Sequence, residues 1–261
     1  MRSLSIGATG MLAQQLNVDV ISNNIANMTT TGFKRQRAEF QDLLYQSMRR
    51  VGTASSDAGT IIPAGVQIGA GVQSASVYRI HQQGNMQVTD NPLDVAISGR
   101  GFFQVEMPNG DTGYTRAGSF LLNAEGTIVT ADGYPVIGPG SVPADAIQIA
   151  INESGEVSVT LDGQVDPQLV GQFQMANFAN EAGLEAIGNN LFLETPASGN
   201  AVTGTPQSDG FGYIEQGMLE TSNVNIVSEI TNLISAQRAY EMNSKVITTT
   251  DEMMRTTTSL R

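Results

Sequence analysis

The chain has 261 residues, with 13 basic against 25 acidic and a formal net charge of −12. That balance argues against a general nucleic-acid binder. The absence of cysteine removes disulfides, thiolate chemistry and His/Cys metal sites, and the length allows one to three domains with a sizeable core.

The first predicted element is a helix over residues 1–31. Leu4, Met11, Val18 and Ile25 recur every seven residues, with Ile21 and Met28 as a companion row. Thr29, Thr30 and Thr31 weaken the helix, and Gly32 suits the position just past its end. Ser5, Gly7, Thr9 and Gly10 interrupt the apolar start, so it is not read as a cleavable signal peptide. From Ser3 to Thr31 the only charge is Asp19. A helix facing water displays many Lys and Glu. This one carries Gln14, Gln15, Asn17, Asn23, Asn24 and Asn27, amides that can be buried without the desolvation cost of an ion. Protein is therefore expected on most of its sides, with the asparagines setting register.

Next comes "GFKRQR", Gly32 to Arg37. It is expected to be a junction where positive charge meets acidic residues of a neighbouring subunit. Residues 32–75 form a connecting region, linker-like from Gln46 onward in its Gly, Ser and Ala content. Ile61, Ile62, Val66, Ile68 and Val72 suggest that it is held as extended or hairpin structure. No apolar run reaches transmembrane length.

The centre, residues 76–221, reads as β. Short apolar-alternating runs such as "LDVAISG", "GFFQVEM", "AIQIAI", "EVSVTL", "LVGQFQMANF" and "NLFLET" lie between Gly, Asn, Asp and Pro punctuation. "PNGDTGYT" and "TADGYP" read as hairpin turns. No helical pattern alternates with the strands, so an antiparallel barrel- or sandwich-like domain is expected. All nine prolines fall between residues 51 and 220, where Arg79, Arg100 and Arg116 are the only basic residues against eighteen acids.

This centre holds no recognisable catalytic constellation. His81, the only histidine, has no nucleophile-elbow pattern near it. "GRGFFQV" lacks the Lys-Ser/Thr of a phosphate loop, and Asp90 and Asp94 lack a calcium-ligand series. No enzyme activity, cofactor or metal is expected.

The last predicted element is a helix of roughly 35 residues, since no Gly or Pro occurs from Thr221 onward. Ser222 or Asn223 is a candidate N-cap. Ile226, Leu233, Tyr240, Ile247 and Met254 form a heptad row, and Ala239, Val246, Met253 and Leu260 a second. The fold class is therefore α+β. Residues 1–31 and 222–261 are expected to pair as a coiled-coil-like inner domain beside the antiparallel β-rich domain.

Four stretches are similar to known signatures. "SNNIANMTTTGFKR", "NPLDVAISGRGFFQV", "YTRAGSFLLNAEGTIVTADGYPV" and "GYIEQGMLETSNVNIVSEITNLISAQRAYEMNSKVITTTDEMM" resemble those of the bacterial flagellar rod and hook axial proteins. Residues 46–66 resemble an element of the distal rod that hook members usually lack. The resemblance implies a subunit that polymerises helically into a hollow drive shaft around the export channel. It implies an inner wall of terminal helices and an outer β domain. Leu4, Met11, Val18, Ile21, Asn23, Asn24, Ile25, Asn27, Met28, Gly32, Phe33, Ile226, Leu233, Tyr240, Ile247 and Met254 would then mediate polymerisation. Arg49, Arg50, Ile61, Ile62 and Pro63 would stiffen the rod. The implied partners are further copies, proximal rod and hook proteins, the rod cap, the P- and L-ring proteins and the type III export apparatus. Neither nucleic acid nor membrane insertion is implied. The implied place is the basal body across the periplasm, reached without a cleavable signal. The competing readings are a proximal rod or hook subunit, or a β-rich binding or scaffold protein oligomerised by a coiled coil.

Overall fold

A computed structural model of the chain describes residues 2–49, 64–163 and 166–259; of Arg49 it describes the backbone. Two helices, α1 (Arg2–Ala26) and α2 (Ile226–Ser259), stand at the two ends of the sequence, with β structure between them. The chain divides into two compact units. One comprises residues 1–25, 36–78 and 226–261, and the other residues 26–35 and 79–225.

In the helical unit, α1 ends at Ala26, five residues before the predicted Thr31. Thr30 closes a turn there, its N–H donating to the Asn27 carbonyl at 3.2 Å and its hydroxyl to Asn27 Oδ1 at 3.2 Å. Threonine and asparagine compete with a helix through such local bonds, so Met28 falls in a turn rather than on the heptad row. α2 runs for 34 residues. It begins at Ile226, and the predicted caps do other work. Ser222 Oγ accepts from the N–H of Val224, and Asn223 is spent on the connecting segments at Arg35, Ile80 and Gln82, as described below.

The two helices approach in antiparallel sense. Gly7 of α1 faces Ile247, Gly10 faces Asn243, and Asn24 bonds Glu229. A Cβ on Gly10 would lie 2.8 Å from Asn243 Nδ2, so the absence of a side chain permits the approach. The buried residues of α2 are Glu229, Ala236 and Thr250, with Asn243 half-buried between them at the same seven-residue spacing. This corrects the predicted second row of α2, of which Val246 and Met253 are exposed and Leu260 lies outside the described residues. Small and polar side chains occupy the line of closest approach because bulky ones would push the helices apart. Two strand pairs complete the unit. Gln36–Asp42 pairs with Val72–Arg79, and Tyr45–Arg49 pairs antiparallel with Val66–Gly69.

The second unit is antiparallel β without a closed barrel. Its main sheet has six strands in the order Glu185–Gly188, Leu191–Leu193, Thr112–Thr115, Phe102–Glu106, Met175–Asn177, Val202–Gly204. A three-stranded sheet, Ala146–Ile151, Glu156–Leu161 and Gln168–Gln172, is separate, and the remaining strands form two-stranded pairs. A closed barrel would need one continuous ladder. Here "LVGQFQMANF" breaks at Phe173 and Gln174, sending its halves to different sheets.

Strand alternation places successive side chains on opposite faces, and both faces of the Phe102–Glu106 strand are covered. Phe103 packs with Val95, Ile97, Phe120, Phe173 and Met175 in the larger core. Phe102 turns the other way, toward Tyr114, Phe178 and Phe192. Edge-to-face aromatic pairs run through both clusters, with Phe103–Phe120 at 5.1 Å and Tyr114–Phe178 at 4.8 Å between ring centroids.

Candidate assembly surface and the charge clamp

Asn24 answers why so many amides sit on α1. Its Nδ2 donates to the Gln36 carbonyl at 2.8 Å, and its Oδ1 accepts from the Gln36 N–H at 2.8 Å. One amide thus pairs with a backbone unit as a neighbouring strand would, holding the returning chain on the helix. Nδ2 also lies 3.2 Å from Glu229 Oε2 on α2. Asn24 therefore sets register inside the chain, where contact with a neighbouring subunit was expected.

The helical unit leaves many large apolar side chains uncovered. On α2, Val227, Ile230 and Ile234 are exposed at i, i+3 and i+7, on the side turned away from Glu229 and Ala236. Tyr240, Met242, Val246 and Met253 continue the exposure toward the C-terminus. On α1, Leu12 is 67% exposed. In and beside the strand pairs, Leu44, Tyr45, Met48, Val66 and Ile68 are also exposed. A two-stranded sheet bare on both faces is marginal in water, and exposed apolar patches of this extent mark protein-interaction sites.

Of the predicted seam, Leu4, Met11, Val18, Ile25, Leu233, Ile247 and Met254 are half-buried and Ile21 is buried. Asn23, Met28, Ile226 and Tyr240 are exposed. Asn27 and Phe33 are half-buried and Gly32 is buried, with φ +68° in the left-handed region that favours glycine. Arg50, Ile61, Ile62 and Pro63, and the side chain of Arg49, lie outside the described residues.

The β unit contains a feature the linear reading missed. Lys34, Arg116 and Glu220 are all buried and bonded together. Lys34 Nζ donates to Glu220 Oε1 at 2.5 Å and to the Gln82 carbonyl at 2.9 Å. Arg116 Nε donates to Glu220 Oε2 at 3.1 Å, and its remaining nitrogens donate to the carbonyls of Gly101 at 2.6 Å and Gly99 at 2.8 Å. The N–H of Gly84 adds a bond of 2.8 Å to Glu220 Oε1. Nearby, Asn223 Oδ1 accepts from the Arg35 N–H at 2.8 Å, and Asn223 Nδ2 donates to the carbonyls of Ile80 and Gln82. The segments that precede α2 and follow α1 in sequence are thereby clamped to one another within this unit. The prediction for "GFKRQR" is corrected at Lys34, whose acidic partner is in the same chain. The signal was present as one Lys, one Arg and one Glu within family-like motifs, but nothing local joined them across 186 residues of separation.

Burial pulls the Lys34 ammonium below its ordinary range, opposed by Glu220 and assisted by Arg116. The same positive surplus acts on His81. Its ring packs edge-on against Phe102 and Phe192 at 5.6 Å each. Burial first, then Lys34, Arg79 and Arg116, lower its pKa from 6.5 to about 4. Between those values the unfolded chain takes up a proton that the folded chain refuses, so stability falls as pH drops from 6.5 toward 4. The loss should reach about 3 kcal/mol. Calorimetric unfolding of the parent and His81→Gln across that range should give curves whose difference follows this slope; parallel curves would contradict it.

Among the described residues no group of three or more His, Asp or Glu is placed to hold a metal, and no helix is long and apolar enough to cross a membrane.

Comparison with known proteins agrees along the whole chain. Residues 4–34 match the flagella basal body rod protein family, 96–159 the flagellar hook protein FlgE/F/G D1 domain, and 215–260 the flagellar basal body rod FlgEFG protein C-terminal family. The flagellar basal-body rod protein FlgG of Caulobacter vibrioides is 60% identical over 100% of both chains. That of Agrobacterium fabrum is 55% identical over 97% of both chains. That of Buchnera aphidicola from Schizaphis graminum is 51% identical over 97% of this chain and 96% of its own. These relatives are structural components and not enzymes. With identity of this order spanning both terminal helices and the β centre, the chain belongs to the FlgG-type family of flagellar basal-body rod proteins, as a structural subunit of the distal rod.

Proposed function

We propose that the chain polymerises through its terminal helices into an open helical tube that carries torque along the rod. The observation that carries this is the division of labour on α2. Small and polar residues meet α1 of the same chain, while Val227, Ile230 and Ile234 on the other side are bare. Copies related head to tail would cover that stripe, and heterologous contacts of this kind generate filaments rather than closed dimers. Coiled-coil-like pairing in the assembled wall, the proximal rod, hook, cap and ring partners, and a periplasmic position reached by type III export follow from this reading. Covering what remains exposed of each of the three side chains contributes about 1 kcal/mol, repeated at every subunit. At concentrations where the parent forms tubes by electron microscopy, Ile234→Lys should remain unassembled with an unchanged unfolding transition. Tubes of normal yield from I234K would refute the stripe's role.

Residues 46–66 are proposed as the stiffening element between copies. Its two ends lie in the paired strands Tyr45–Arg49 and Val66–Gly69, which present uncovered Tyr45, Met48, Val66 and Ile68. Deleting residues 46–66 should leave assembly through the helices intact and give tubes that bend. Deleted tubes as straight as the parent's would rule the segment out.

A further inference from the structure

The only three basic residues of the acidic central stretch converge on one place. Lys34, Arg79 and Arg116 act on His81, and Arg100 lines the same cavity; Lys34 and Arg116 pair with Glu220, and Arg100 with Glu181. A cavity of about 300 Å³ opens there, lined among others by Lys34, His81, Gln83, Arg100, Phe102 and Arg116. Both oxygens of Glu220 are already engaged, Oε1 by Lys34 and the Gly84 N–H, Oε2 by Arg116. Glu181 sits on Arg100, whose side chain is 62% exposed, leaving that pair open to exchange. His81 Nδ1 is buried and has no hydrogen-bond partner among the described residues. The cations that add to burial in holding His81 neutral also attract an anion.

We propose that this cavity receives the carboxylate of an acidic side chain from a second copy of this chain. The inference rests on the polymerisation reading above. Residues 51–220 carry eighteen acids, so packing copies side by side sets like charge against like. Each carboxylate seated here replaces repulsion with charge-assisted hydrogen bonds from Arg100 and lies beside the His81 ring, which lines the same cavity. The charge is recognised by groups already fixed by the clamp, which limits the ordering required on binding.

His81 is the chain's only histidine, so ¹⁵N-histidine labelling of the full chain gives a single imidazole to follow. In unassembled protein it should titrate near 4, and in tubes its midpoint should rise by roughly one unit or more. Arg100→Gln, at the exposed rim, should diminish that rise and raise the concentration needed for assembly several-fold. Tubes with an unshifted midpoint, and R100Q assembling like the parent, would overturn the proposal. Succinate distinguishes the source. If excess succinate shifts His81 in unassembled protein while assembly does not, the occupant is a free dicarboxylate and the second-copy assignment is wrong. A parent chain that forms no tubes at any concentration defeats the polymerisation reading, and the second-copy occupant with it. The succinate titration then decides alone whether the cavity binds carboxylates.

Discussion

Glu220→Gln should destabilise the β unit by about 3–5 kcal/mol. The substitution preserves shape and removes one charge, leaving Lys34 and Arg116 buried with no anion between them. Lys34 and Arg116 have side chains 1% and 5% exposed, so water cannot screen the repulsion. The counter-experiment is Lys34→Met. There Glu220 keeps Arg116 at 3.1 Å and the Gly84 N–H at 2.8 Å, leaving a balanced pair. The loss should therefore be smaller than for E220Q, although both variants break the same short ion pair. Calorimetry of the two variants and the parent at neutral pH measures the order. If K34M proves the more damaging, the pair's geometry rather than its charge balance sets stability. The consequence for the rod is mechanical. The clamp ties the segment after α1 to the segment before α2, so loosening it frees both connections to the helices.

Gly118→Ala should cost more than about 3 kcal/mol and abolish the cooperative transition of the β unit at moderate temperature. The cause is steric. Gly118 accepts a hydrogen bond of 2.9 Å from the N–H of Val95 through its carbonyl. A Cβ at this position would overlap the carbonyl oxygen of Val95 and lie 3.3 Å from Phe103 Cε2. The obstacle is backbone, which cannot rotate away as a flexible side chain can. Val95 belongs to the strand Val95–Ser98, which is buried at Val95, Ala96 and Ile97, and Phe103 is fully buried in the main core. Relief would therefore displace the strand and the core together. Near-UV circular dichroism of the tyrosines and calorimetry would register the loss. A G118A protein with parent-like melting would mean that the segments separate at little cost.

The sequence by itself determined which segments are helix and which are β. The cause is local: Gly and Pro punctuation concentrated in the centre forbids long helices there, and its absence from the C-terminal end permits 34 residues without a break. It also determined the family, because the motifs at Ser22–Arg35 and from Gly212 onward are contiguous. Tertiary structure alone decided which face of each helix is used within the chain. The apolar heptad at Ile226, Leu233 and Tyr240 was legible. That Glu229, Ala236 and Asn243 meet α1 instead of Ala239 and Val246 follows from where Gly7 and Gly10 allow close approach. A heptad count on one helix carries no information about the gaps on another. The same holds for the carboxylate at Glu220. Its partners Lys34 and Arg116 lie 186 and 104 residues away, and only the fold excludes the water that makes their charges matter. His81 reads in sequence as an ordinary strand or turn residue. Its depressed pKa arises from burial first and then from cations brought together around it, a property of position in space that no neighbouring residue encodes.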